Sequence, residues 1–262
     1  MDILPIALAV LSGLLVGFTL GLIGGGGSIL ATPLLLYVVG LQPHVAIGTG
    51  ALAVSANAFA NFGGHARSGN VRWRSAILFA VIGAAGAAAG SVLGKTFDGK
   101  KLLFLFAILM IVVGILMLRR GRQSRTKAAT SSEVDRDYNK PLRVVIAAIA
   151  VGMLSGFFGI GGGFLIVPGL LLSTGMPMIF AVGSSLLAVG TLGLTTSVSY
   201  ALSGLVDWWV ALEYIGGGLV GGWLGMTLAV HLAARKALLN QVFAGFVFVV
   251  AAYMLYRNAS AL

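Results

Sequence analysis

The chain has 262 residues, 58% of them hydrophobic and only 9% charged, with a mean hydropathy of +1.02. A soluble domain carries about 25% charged residues, so an ordinary globular protein is excluded. No cysteine is present, which removes disulfides, thiol catalysis and cysteine-ligated metals. The net charge of +10 would fit a nucleic-acid partner, but eight of the seventeen Lys and Arg fall between Arg119 and Arg143, the pattern of a topological signal at a membrane surface.

In chain order, apolar runs occupy 3–23, 45–62, 75–94, 102–118, 142–158, 180–202, 208–230 and 238–256, each long enough for a hydrocarbon core of ~30 Å. The fold class expected is an all-α polytopic membrane protein. The first run has only Asp2 ahead of it and no basic flank, so it reads as a retained span rather than a cleaved signal. It runs into "GLIGGGGSILATPLLL" (21–36), where Gly24, Gly25, Gly26 and Gly27 break the apolar pattern. Glycine costs about 1 kcal/mol per helical position relative to alanine, so a plain spanning helix would not hold four. The apolar segment after this break, Ser28 to Val39, reaches only about 18 Å as a helix, well short of a full crossing.

The next run, "AIGTGALAVSANAFANFGGHARSG", carries Thr49, Gly50 and Ser55, then Asn57, Asn61 and His65 at a spacing of four, one stripe of a helix. His65 and Arg67 are placed at its cytoplasmic mouth, as a basic vestibule or as interfacial anchors. "GAAGAAAGSVLG" (83–94) and later "GGGLVGGWLG" (216–225) read as small-residue packing seams. "RRGRQSRTKAATSSEVDRDYNK" (119–140) is a polar, Ser/Thr-rich linker.

Beyond the linker the pattern returns. Adding 135 to a residue number maps Gly24 to Gly159, Pro33 to Pro168, Gly48 to Gly183, Ser68-Gly69 to Ser203-Gly204 and Trp73 to Trp208. Without a gap, 25 of the 75 positions from 16 to 90 are identical to their counterparts. The chain is therefore two repeats, 1–118 and 142–262, joined by a basic cytoplasmic linker at 119–141, each with four full spans and one half-helix. Basic residues at 65–74, in the linker and at Arg235-Lys236, against loops 41–44, 176–179 and 203–208 without Lys or Arg, predict that the repeats are inverted and that both termini lie outside. Lys95, Lys100 and Lys101 dissent from that assignment.

The two glycine breaks, "GLIGGGGS" and "GFFGIGGG", would free backbone N–H groups at Ser28–Ala31 and Gly163–Ile166. Broken backbone survives at membrane depth only where protein or a water-lined cavity satisfies it. Helix N-termini form anion sites without a basic side chain. The candidate substrate-binding set is therefore Gly24, Gly25, Gly26, Gly27, Ser28, Thr49, Gly50, Asn57, Asn61, Gly161, Gly162, Gly163, Ser184 and Ser185; tight helix packing is the plainer account of the same glycines. Thr191, Thr195 and Ser199 form a further hydroxyl stripe. No Asp or Glu lies mid-span, against a cationic substrate, and no phosphate-loop lysine succeeds the glycines, against ATP coupling. Neither a metal constellation nor a nucleophile–base pair is present, so an enzyme is not expected, and no cofactor is.

The paired stretches "GLIGGGGSILATPLLL" and "GFFGIGGGFLIVPGLL", with "AIGTGALAV", "HARSGNVRW" and "SGLVDWW", resemble the sulfite exporter TauE/SafE family over nearly the whole chain outside the linker. The resemblance implies a multi-pass secondary transporter of the bacterial inner membrane, exporting sulfite or an organosulfonate such as sulfoacetate. It points to Gly24–Gly27 with Ser28, Gly161–Gly163, Thr49, Ser184 and Ser185. The chain departs at Gly50, where relatives often carry Ser or Thr, and at Arg72, where Asp is usual. The partners expected are a small anion and the lipid bilayer, not nucleic acid, with a homodimer left open. A passive anion channel or a membrane scaffold is the competing class.

Overall fold

The computed structural model describes residues 3–23, 28–123, 141–159, 163–176, 178–231 and 248–257. Gly24–Gly27, Gly161, Gly162 and most of the linker lie outside them. The elements are helices: α1 (Ile3–Ile23), α2 (Ala31–Tyr37), α3 (Pro43–Arg67), α4 (Trp73–Thr96), α5 (Gly99–Gln123), α6 (Pro141–Phe158), α7 (Gly163–Thr174), α8 (Met178–Ala201) and α9 (Trp208–His231), then α10 (Phe248–Arg257). α5 continues into the stretch read as linker. Among the described residues four helices are long and apolar enough to cross a membrane: Leu4–Leu22, Pro43–Arg67, Trp73–Thr96 and Phe180–Ala201.

Local chemistry sets the helix ends. Pro43 opens α3, where its missing N–H has no helical partner to lose. Asp98 caps α5, its carboxylate accepting the N–H groups of Lys100 at 2.9 Å and Lys101 at 3.2 Å. α3 and α8 end in the same two-bond closure: Asn70 N–H to His65 C=O with Gly69 N–H to Ala66 C=O, and Leu205 N–H to Tyr200 C=O with Gly204 N–H to Ala201 C=O. Gly69 and Gly204 each take φ +70°, a left-handed value that a side chain would strain.

Large apolar side chains cover the outside as well as the core. Leu11 and Leu15 on α1, Val81 and Val92 on α4, Ile146 and Ile149 on α6, and Leu219 and Val220 on α9 are all exposed. Such a surface suits lipid, not water. Trp73, Trp208 and Trp209, at the first turns of α4 and α9, are exposed as interfacial anchors would be.

Two helix pairs pack backbone to backbone. On α1, a Cβ at Gly13, Gly17 or Gly21 would strike the main chain of Tyr214, Gly218 or Gly222 on α9. On α6, a Cβ at Gly152 or Gly156 would strike Gly83 or Ala87 on α4. The rising order of both partners makes each pair parallel. Adding 135 to Gly17 and subtracting it from Gly218 gives Gly152 and Gly83, so one contact is the counterpart of the other. α3 meets α8 in falling order (Gly48 with Tyr200, Ala51 with Gly193, Ser55 with Gly190), so these two helices are antiparallel.

The seams read from "GAAGAAAGSVLG" and "GGGLVGGWLG" are thus where the helices touch. Gly17→Val should cost at least the ~1–3 kcal/mol typical of overpacking, read as a lower unfolding midpoint in detergent. Gly216→Ala, where added bulk meets nothing within 4 Å, should leave that midpoint unchanged or raise it. The N–H group of Lys101, then that of Lys100 and both lysine charges, hold the Asp98 carboxyl below its ordinary pKa. Its stabilisation is present above the unfolded carboxylate value and lost as pH falls through the lower folded one. Asp98→Asn should flatten the acid side of a midpoint-against-pH curve.

Candidate functional site around the short helices

α2 and α7 have the truncated length expected from the glycine breaks. Ser28–Tyr37 spans ten residues including a 3₁₀ turn at Ser28–Leu30, and α7 spans twelve, about 15 and 18 Å. Both start inside protein. Ser28, Ile29, Leu30, Ala31 and Thr32 are buried, as are Gly163 to Val167. Gly159 ends α6 at φ +65°, and a Cβ there would strike Ile47, so the chain turns away from α6 only with bare backbone. Pro168, inside α7, has no N–H to give the carbonyl of Phe164, which leaves that carbonyl outside the helical ladder.

Gly50 lies on the first turn of α2: a Cβ there would come within 3.2 Å of Leu35 Cδ1 and 3.8 Å of Thr32 N. Thr49 and Ser184, read as substrate hydroxyls, hold helix starts. Thr49 Oγ1 accepts the Asp207 N–H at 3.0 Å, and Ser184 Oγ accepts the Arg72 N–H at 2.9 Å. The two bonds are counterparts, since 49 and 72 each become the other pair on adding 135. Asp207 then caps α9 by accepting the Val210 N–H at 3.1 Å. Ser185 donates to Val182 C=O at 2.8 Å, and Thr191 and Thr195 likewise turn back on their own helix.

The amide pair faces another helix. Asn57 and Asn61 lie where Gly218 and Gly222 of α9 lack side chains. Asn61 donates to Asn57 C=O at 2.9 Å, but the Asn57 carboxamide is fully buried and neither of its polar atoms has a partner among the described residues. Leaving a buried amide unbonded costs roughly 2–7 kcal/mol, so this group is kept at a penalty. Its counterpart is Leu192, which fills the same place against Gly83 without that cost. His65 is half-buried with Nδ1 unbonded, and Arg67 is exposed at the end of α3. At that same end the Arg72 guanidinium lies 4.3 Å from the centre of the Phe180 ring.

Sequence reasoning missed three features. One is the bond from Ser55 Oγ to Gly190 C=O, 2.6 Å, although 55 plus 135 is 190 and the repeat alone could have flagged it. The others are the buried, unbonded Thr32 hydroxyl on α2 and the Tyr214 hydroxyl on α9, which no sequence signal marked.

The described residues form an all-helical membrane protein in which two short helices start buried in protein, and comparison with known proteins marks it as a membrane transporter. Residues 9–254 match the Sulfite exporter TauE/SafE family, and the chain belongs to it. A probable membrane transporter protein of Xylella fastidiosa (strain 9a5c) is 55% identical over 100% of this chain and 99% of its own. The probable membrane transporter protein YunE of Bacillus subtilis is 30% identical over 84% of this chain and 86% of its own. One from Methanocaldococcus jannaschii is 28% identical over 80% and 74%. No solved structure matches.

Thr49→Val and Ser184→Ala each strip the acceptor from a partly buried N–H group. Each should lose about 1–3 kcal/mol and speed hydrogen exchange at the Asp207 or Arg72 amide, whereas Thr49→Ser should keep both at the parent level.

Proposed function

We propose that the protein is a secondary transporter of the cytoplasmic membrane of a bacterium. It exports a small sulfur-containing anion, sulfite or an organosulfonate such as sulfoacetate, by alternating access between two inverted halves, driven by an ion gradient or the membrane potential. The observation that carries this reading is the burial of the first turns of α2 and α7 in protein, each shortly after a glycine-rich stretch. A helix start holds N–H groups with no helical acceptor and partial positive charge, which suits three sulfonate or sulfite oxygens and needs no buried cation. Inversion is supported by the antiparallel run of α3 and α8, which occupy equivalent places in the two halves. Membrane transporter names among the relatives support transport, and the family's description supplies sulfite as the first substrate to try.

Asn57 is the side chain best suited to a direct substrate contact, because only a bound solute or water repays its burial. Reconstituted protein should carry sulfite with saturable flux; conductance linear in concentration would favour a channel. Asn57→Leu copies the other half and should fold with an equal or higher unfolding midpoint while losing sulfite flux tenfold or more. Gly26→Val and Gly162→Val should also abolish flux with the midpoint retained. Unchanged transport in all three would overturn the site. Among sulfite, sulfate, sulfoacetate, taurine and thiosulfate, the true ligand at a hundred times its Kd should stabilise the fold by about 2.7 kcal/mol.

A further inference from the structure

We infer that the bodies that move against each other are two helix groups, each of which borrows a helix from the other half of the sequence: α1, α2, α3 and α9 in one, and α6, α7, α8 and α4 in the other. The inference rests on the alternating-access reading and changes what rocks. Within the first group α1 lies on α9 at Gly13, Gly17 and Gly21, and α3 lies on α9 through Asn57 and Asn61. Within the second, α6 lies on α4 at Gly152 and Gly156, and α8 lies on α4 through Leu192 at Gly83. α2 packs on α1 and α3, and α7 on α6 and α8. Among the described residues the two groups meet chiefly along α3 and α8. Each borrowed helix is therefore bound by backbone contact to the group it joins, which no rocking of whole halves could preserve.

Among the helices of the two groups, the described chain passes directly from one group to the other at two turns, α3 to α4 and α8 to α9. These are counterparts, and each holds its left-handed glycine, Gly69 or Gly204. Past each turn the chain is fastened to the group it has joined, by Ser184 gripping the Arg72 N–H and Thr49 gripping the Asp207 N–H. The free stretch is thus a few residues, the size of a hinge. Between the groups, Ser55 bonds Gly190 midway along α3. A residue bonded to its own counterpart lies on the approximate two-fold axis, which makes this bond the pivot. Toward the ends of α3 the groups meet where Gly48 faces Tyr200 and Gly183 faces Asn70, both close enough that a Cβ would strike the neighbour, and through two side-chain contacts, His44 Nε2 with Phe97 C=O at 3.2 Å and the Phe62 ring 5.7 Å from that of Trp73. Opening one end and closing the other leaves the pivot in place.

The absence of cysteine gives a clean background for thiol pairs. Gly64→Cys with Met226→Cys ties the two halves together inside one group, since a Cβ at Gly64 would come 2.9 Å from Met226 Sδ. Phe62→Cys with Trp73→Cys ties the two groups together inside one half. In proteoliposomes loaded with sulfite, bridging the first pair should leave flux within twofold of the reduced protein. Bridging the second with a short reducible linker should cut it at least tenfold, with recovery on reduction. The opposite pattern, or full flux through both bridged proteins, would overturn the inference. Spin labels provide a readout that needs no substrate. Exposed Leu4 and Trp223, on one group but different halves, should give one narrow distance. Leu4 and Val92, on one half but different groups, should give a broad or two-peaked distribution. If unlinked protein carries no sulfite, the substrate reading fails while the distances still decide which bodies move; a single sharp distance for the second label pair overturns the inference.

Discussion

Contact between bare backbones holds this fold together. Lipid chains are as apolar as leucine, so burying apolar side chains between helices brings no gain over leaving them in the bilayer. What remains is dispersion at close range and hydrogen bonding, and both need helix axes that approach closely. Gly17 against Gly218 and Gly152 against Gly83 give that approach twice, at counterpart places. The same α9 glycines also leave room for Asn57 and Asn61, so one seam of α9 serves α1 on one side and α3 on the other. The large exposed side chains of these helices are then left for lipid.

Polar atoms in such a fold divide into those that complete the backbone and those that do not. Thr49, Ser184 and Asp207 complete it, closing N–H groups at the starts of α4 and α9. Ser185, Thr191 and Thr195 spend their hydroxyls on carbonyls of their own helix. Asn57, Thr32, Ser155, Thr196, Tyr200 and Tyr214 are buried with side-chain polar atoms that find no partner among the described residues. In this second set burial has no internal compensation, so these groups are held at a cost that the first set does not carry. The Arg72 and Asp207 positions show the same division in charge. Their backbone N–H bonds are counterparts, yet one end of the molecule receives a cation and the other an anion, so a near-symmetric frame carries an asymmetric field.

Much of the fold was legible because its causes are local or periodic. Apolar runs gave the long helices, the offset of 135 gave their correspondence, and the short stretch after Gly27 gave the truncated α2. Ser68-Gly69 and Ser203-Gly204 announced paired turns, and both take the left-handed conformation that glycine permits. The site was less legible, because a hydroxyl's role depends on what lies across from it. Thr49 meets a backbone N–H 158 residues away, which no spacing rule could reveal. The exchange of α4 and α9 between halves was hidden for the same reason: the seams were readable as seams, but not the helices they join. Lys95, which dissents from the charge rule, has a local cause, since its ammonium donates to Ser199 C=O and Ser203 Oγ at 3.0 Å and neutralises the end of α8.

The bond from Ser55 to Gly190 carries a consequence for how such a chain could change over generations. In two separate identical subunits, any substitution at that place would be made twice, and like would face like. A serine would then meet a serine, with two hydroxyls where the fold has room for one donor and one carbonyl. Fusion into a single polypeptide lets the two sites mutate independently, so the donor and the bare acceptor can be assigned to different copies. The same licence lets asparagine stand in one copy where leucine stands in the other, giving an internally duplicated molecule one chemically distinct side.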